Sequence, residues 1–288
     1  MLWFFLALAA GLTQAGNDVI SKRFFSDLTA YEMGLIRLLF AMPFLVAGLI
    51  FIPWPELDKT FWKCMACAMP LEVIAFLCYM RAIKISPLSL TLPFLAFTPA
   101  FVILTGHVIL DERLNLYGIL GIAMIVSGSY TLNLSSAKIK FIAPFLAVFK
   151  EHGSWLMLLT AFLYSITSTI GKLAIMHSSP QFFGVIYFLF FGLVLATLFP
   201  LMPGAEMANL FKRPVIGLIA GMILTTMVFC HMYAISLIQA AYMISVKRTS
   251  LLFGVIFGFV IFKEKNIKER FLGVSIMMAG VMVIGFLG

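Results

Sequence analysis

"GHVILDERLNLYGILGIAMIVSG", residues 106–128, returns without a gap as "GFVIFKEKNIKERFLGVSIMMAG", residues 258–280. Each copy is an apolar run, a short charged break with a glutamate in the same place (Glu112, Glu264), and a second apolar run with glycines in the same places (Gly121 and Gly273, Gly128 and Gly280). The shift of 152 also pairs Ala82-Ile83 with Ala234-Ile235 and Phe101 with Phe253, and a shift of 150 pairs Ser21-Lys22 with Gly171-Lys172 and Gly34 with Gly184. The chain is one unit written twice.

What the unit is follows from composition. Hydrophobic residues make up 62% of the chain and charged residues 11%, and the mean hydropathy is +1.08. These values exclude a soluble domain and indicate an integral membrane protein. The apolar runs are continuous rather than alternating, so they are helices and not barrel strands. A helix needs about 20 apolar residues to cross the hydrocarbon core. Ten such segments fit, at 2–21, 33–52, 62–82, 87–110, 115–133, 154–174, 182–202, 214–235, 239–262 and 268–287. No basic residue precedes Asp18, so the first reads as a retained helix rather than a signal peptide. Five spans per copy is an odd number, and the second copy must enter the membrane upside down. The expected architecture is all-α: ten transmembrane helices as two inverted five-helix repeats, 1–133 and 154–288, joined by an interfacial linker, 134–153, with Lys138, Lys140, Lys150 and Glu151.

The order and spacing of "GNDVISKRF" closing the first helix, "YEMGLIRLLFAMPFL" opening the second, and the repeated stretch across the fourth and fifth resemble the ten-helix drug/metabolite transporter superfamily built from two EamA-type domains. The resemblance implies a basket of ten helices around a central cavity that moves small metabolites by alternating access. It leaves the metabolite open.

Lys247 and Arg248 stand side by side in the ninth segment, about 10–12 Å from its start at 1.5 Å per residue. Charges at that depth need a cavity or a partner and are functional candidates by default. The phosphate translocators of the same superfamily look similar here, with an adjacent Lys-Arg pair gripping phosphate. By that resemblance Lys247 and Arg248 are phosphate or carboxylate ligands, arginine as a planar fork and lysine as a point charge. Arg37, Lys172 and Asn17 join them as candidate substrate ligands. The alternative is that Lys247 and Arg248 pair with Asp18 and Glu72 and brace the fold. Lys247, Arg248, Arg37 and Lys172, four cations against the two deep acids Asp18 and Glu72, favour an anionic ligand. Asp18 and Glu72 themselves stand open between ion pairing, substrate contact and proton coupling.

His107 and His231, lone histidines on apolar helices, read as packing residues. Glu112 and Glu264 read as caps of the helices that follow them. Pro93 and Pro99 kink the fourth span and free backbone carbonyls. Cys64, Cys67, Cys78 and Cys230 lie in apolar stretches without the second cluster a zinc site needs. No enzyme, cofactor or selectivity-filter motif appears. The net charge of +8 comes from short clusters between apolar runs and points to membrane orientation, not nucleic acid. Thirteen Lys and Arg residues fall after odd-numbered spans and four on the side of the termini. The positive-inside rule then places both termini outside a cell inner membrane. A flippase of a lipid-linked phosphorylated intermediate and a non-transporting scaffold or sensor are the other readings of such a chain.

Overall fold

The computed structural model describes residues 1–85, 94–134, 152–262 and 267–287. The described chain is helical: α1 (Leu2–Phe24), α2 (Ala30–Phe51), α3 (Lys59–Ile85), α4 (Thr98–Leu110), α5 (Leu116–Leu134), α6 (His152–Met176), α7 (Pro180–Leu198), α8 (Pro214–Leu237), α9 (Ala240–Lys247), α10 (Ser250–Phe262) and α11 (Ile267–Leu287). Five of them, over Ala30–Phe51, Lys59–Ala82, His152–Met176, Pro180–Leu201 and Pro214–Leu237, are long and apolar enough to cross a membrane. Nearly all of the linker expected at 134–153, together with Pro93 and Glu264, lies outside the described residues.

Local chemistry sets the helix ends. Thr29 and Glu32 form a reciprocal capping box at the start of α2, which satisfies two orphan amides at once. Ser179 caps α7 ahead of Pro180, and Pro214 opens α8, positions where a missing N–H costs nothing. α4 ends at Asp111, whose φ of 51° lets the Glu112 N–H reach back to the Gly106 carbonyl at 3.1 Å. That left-handed turn reverses the chain and sends the Glu112 side chain back toward the bundle.

Packing repeats as the sequence does. α5 lies along α11 at backbone distance. A Cβ on Gly121 would meet the Gly280 carbonyl at 2.9 Å, and one on Gly128 would meet the Gly273 carbonyl at 2.7 Å. Gly121 and Gly128 are the counterparts of Gly273 and Gly280, so the two contacts are one contact made twice about a twofold axis. An early glycine meets a late one, so the fifth helices of the two copies run antiparallel and the copies are inverted. The copies also interlock, because α1 packs on α8 and α3 on α6, equivalent pairs that each draw one helix from either copy. Large apolar side chains such as Phe5, Ile50, Phe51, Val108 and Phe286 face outward, as lipid contact requires, while Phe61, Phe182, Phe183 and Met243 are fully buried.

The ninth span departs from expectation. Instead of one helix over 239–262, α9 stops at Lys247 and α10 starts at Ser250. Between them the Thr249 N–H bonds the Val246 carbonyl three residues back, at 3.0 Å. The fourth span breaks at the equivalent place, where the Phe97 N–H bonds the Phe94 carbonyl at 3.2 Å. Both turns are 3₁₀-like, the usual sign of a hinge inside a helix.

Candidate functional site

Pro99 is the second residue of α4 rather than an interior kink. It has no N–H for the carbonyl four residues back, that of Leu95. The Thr98 hydroxyl takes that role, donating to the Leu95 carbonyl at 2.6 Å. Its hydrogen is thereby committed and its lone pairs are left over. One accepts from Arg248 Nη2 at 2.8 Å. The break of one copy is thus bonded to the break of the other, and Arg248 is aimed by that bond.

Lys247 ends α9 beside Arg248, and its Nζ lies 3.0 Å from His231 Nδ1 on α8. Among the described residues, no carboxylate lies within 4 Å of Lys247 or Arg248. The acids expected to brace them are engaged elsewhere. Asp18 on α1 takes Arg37 of α2 at 3.5 Å and Gln14 at 3.2 Å. Glu72 on α3 accepts from the Tyr187 hydroxyl of α7 at 3.3 Å.

Lys247, Arg248, Arg37, Lys172, Asp18 and Glu72 line one cavity of about 860 Å³, and Lys22 joins them there. Tyr79, Tyr164, Tyr187, Phe76 and Phe188 supply its aromatic wall. Lys172 is already occupied. It pairs with Glu112 at 2.5 Å and donates to the Ile238 carbonyl at the same distance. Glu112 also accepts from the Ala240 N–H at 2.9 Å. It therefore caps α9 of the second copy, not the following helix α5, because the turn at Asp111 points it across the bundle.

Asn17 falls outside the cavity lining. It is 2% exposed, and its amide, with the oxygen and nitrogen assigned by their partners, donates to the Ala220 carbonyl at 3.1 Å. It is a polar strut between α1 and α8. His107 is exposed and off the cavity, whereas His231, read from sequence as packing, lines it. Thr98 carried no sequence signal beyond standing before a proline. Among the described residues no group of three or more His, Cys, Asp or Glu side chains gathers as a metal site requires.

The scaffold repeats but the chemistry does not. Lys247 and Arg248 correspond to Leu95 and Ala96, and Asp18 and Arg37 to Ser168 and Tyr187. The EamA-like transporter family model matches residues 1–134 and again 152–286. No curated protein matches the chain significantly. One solved crystal structure of a protein has the same fold, with a TM-score of 0.73 over 98% of this chain and 94% of that one at 13% identity.

Proposed function

Because the chain belongs to the EamA-like transporter family, and so moves small molecules across a membrane, we propose that its cargo is a small organic anion bearing a phosphate or carboxylate. The observation that carries this is the Lys247-Arg248 pair, which faces the cavity with no carboxylate neighbour within 4 Å among the described residues. Arg248 offers a fork for two oxygens and Lys247 a point charge beside it. The aromatic wall takes the organic body of the solute. Arg37, held by Asp18, is the reserve cation on the facing helix.

Alternating access is supported by the two equivalent helix breaks, one per inverted copy, which meet at the Arg248–Thr98 bond. Inverted copies that exchange conformations produce two oppositely facing states. The Lys172–Glu112 pair bonds α6, the turn after α4 and the start of α9, and so ties the two copies together beside the cavity. Glu72 is the proton-coupling candidate, since its partner is a hydroxyl rather than a cation. The protein is multi-pass, and we place it in the inner membrane with both termini outside.

The test is uptake of a panel of phosphate- and carboxylate-bearing metabolites into proteoliposomes, with Lys247→Gln and Arg248→Gln beside the wild type. Losing a charge-assisted hydrogen bond costs about 1.5–3 kcal/mol, or about one to two decades of affinity. Unchanged uptake in both variants, with protein properly folded, sinks the anion reading.

A further inference from the structure

We infer that His231 and Thr98 are positioning residues, neutral acceptors that aim Lys247 and Arg248 at the cavity without cancelling their charge. The inference rests on the anion reading and assigns what prepares the site for its ligand.

Two adjacent cations repel each other and turn toward any acceptor available. A carboxylate would hold them well but would leave a neutral pair with little attraction for a second anion. Here each cation is instead held by a neutral group, and each by a different helix. Arg248 donates to the Thr98 hydroxyl at 2.8 Å from α4, and Lys247 lies 3.0 Å from His231 Nδ1 on α8. Arginine and charged lysine are donors only. Thr98 has already committed its hydrogen to the Leu95 carbonyl, so toward Arg248 it is an acceptor. With Lys247 charged, as the anion reading requires, His231 likewise accepts at Nδ1, which places its single proton on Nε2. The histidine is thus neutral and in one tautomer. If the lysine were uncharged the bond would run the other way and the proton would sit on Nδ1. Arg248 keeps further N–H donors on its terminal nitrogens for a ligand.

The tautomer can be read without knowing the cargo. The chain has four histidines, so ¹⁵N-histidine spectra in nanodiscs are assignable by one substitution, His231→Asn. The wild type should show the Nε2–H form of His231, and Lys247→Met should lose that single form. Inorganic phosphate then serves as the anion probe, titrated against folded variants checked by gel filtration. Asn places its carbonyl oxygen where Nδ1 stands, so His231→Asn should bind phosphate within about twofold of wild type. His231→Leu should bind about tenfold more weakly. His231→Asp keeps an acceptor but adds a negative charge, and should bind worst although the lysine stays anchored. Thr98→Ser should match wild type and Thr98→Val should not. A merely structural histidine would rank these variants by fit instead, with Asp close to Asn.

An Nδ1–H form, a tautomer indifferent to Lys247→Met, or His231→Asp binding phosphate as tightly as wild type overturns the inference. A wild type with the expected tautomer, lost in Lys247→Met, that binds neither phosphate nor a carboxylate such as citrate retires the anion reading and leaves the positioning role standing.

Discussion

Glu72 and Asp18 are both carboxylates inside the bundle, and their neighbours assign them different work. Asp18 lies against a guanidinium and an amide, so its charge is compensated whatever the cavity holds. Glu72 has the Tyr187 hydroxyl and shares the cavity with Lys247 and Arg248. On the proposed anion reading, cargo arriving at that pair brings a second negative charge near Glu72, and taking up a proton is the simplest response. Glu72→Gln should therefore make uptake insensitive to an imposed pH gradient while exchange of cargo for cargo persists. Asp18→Asn should instead weaken binding by freeing Arg37, with the pH response intact. Uptake by Glu72→Gln that still follows the gradient removes Glu72 from coupling. Glu32 shows the contrary use of a buried acid. It accepts from Thr29 and, across the bundle, from the Glu206 N–H at 2.9 Å and Asn209 Nδ2 at 2.8 Å. It ties two turns together and is not among the residues that line the cavity.

Among the elements, α5 and α11 lie at backbone distance, held by absence of side chains. A Cβ on Gly128 would fall 2.6 Å from the Met277 backbone nitrogen, a contact that no rotamer change relieves. Small residues at such crossings let backbones approach in a medium where the hydrophobic effect does not drive helices together. Gly128→Leu should push the pair apart and lower stability by about 1–3 kcal/mol or more, read as a drop in melting temperature in detergent. Gly254, with open space around its Cβ, should accept Ala with little change in the same measurement. Equal behaviour of the two variants would mean that the α5–α11 crossing is not under backbone contact. The turn between α1 and α2 is joined to the start of α8 by Asp27 and Arg213, 2.7 Å apart. The Arg213 bond holds the Asp27 carboxyl below its ordinary range. The link is therefore intact above that range and is lost only as pH falls below it.

For the whole molecule the inversion of the copies has a consequence outside the bundle. Residues 111–113 and 263–265 are equivalent in sequence, and on the inverted-repeat reading these two charged breaks open on opposite sides of the membrane. In the orientation proposed from charge bias, the second faces the cytoplasm and the first the outside. Single cysteines placed in each, in a chain whose native cysteines are replaced, should react with an impermeant thiol reagent on whole cells only at the first turn. Reaction of both from one side would end the inverted-repeat reading and alternating access with it. Reaction only at the second would reverse the orientation alone, and would mean that much of the counted positive charge serves the cavity.

The sequence by itself determined the class, the repeat and the inversion, because apolar run length, a constant shift and an odd span count are one-dimensional properties. It also placed Lys247, Arg248, Arg37, Lys172, Asp18 and Glu72 in the membrane, and all six meet at one cavity. Partnership was decided only by tertiary structure. Glu112 caps a helix of the other copy because a left-handed residue turns it there, Asn17 braces two helices, and His231 faces a lysine sixteen residues along the chain. Which neighbour a charge meets depends on helix rotation and crossing, where one residue changes direction by about 100°, and no periodicity in the chain records that.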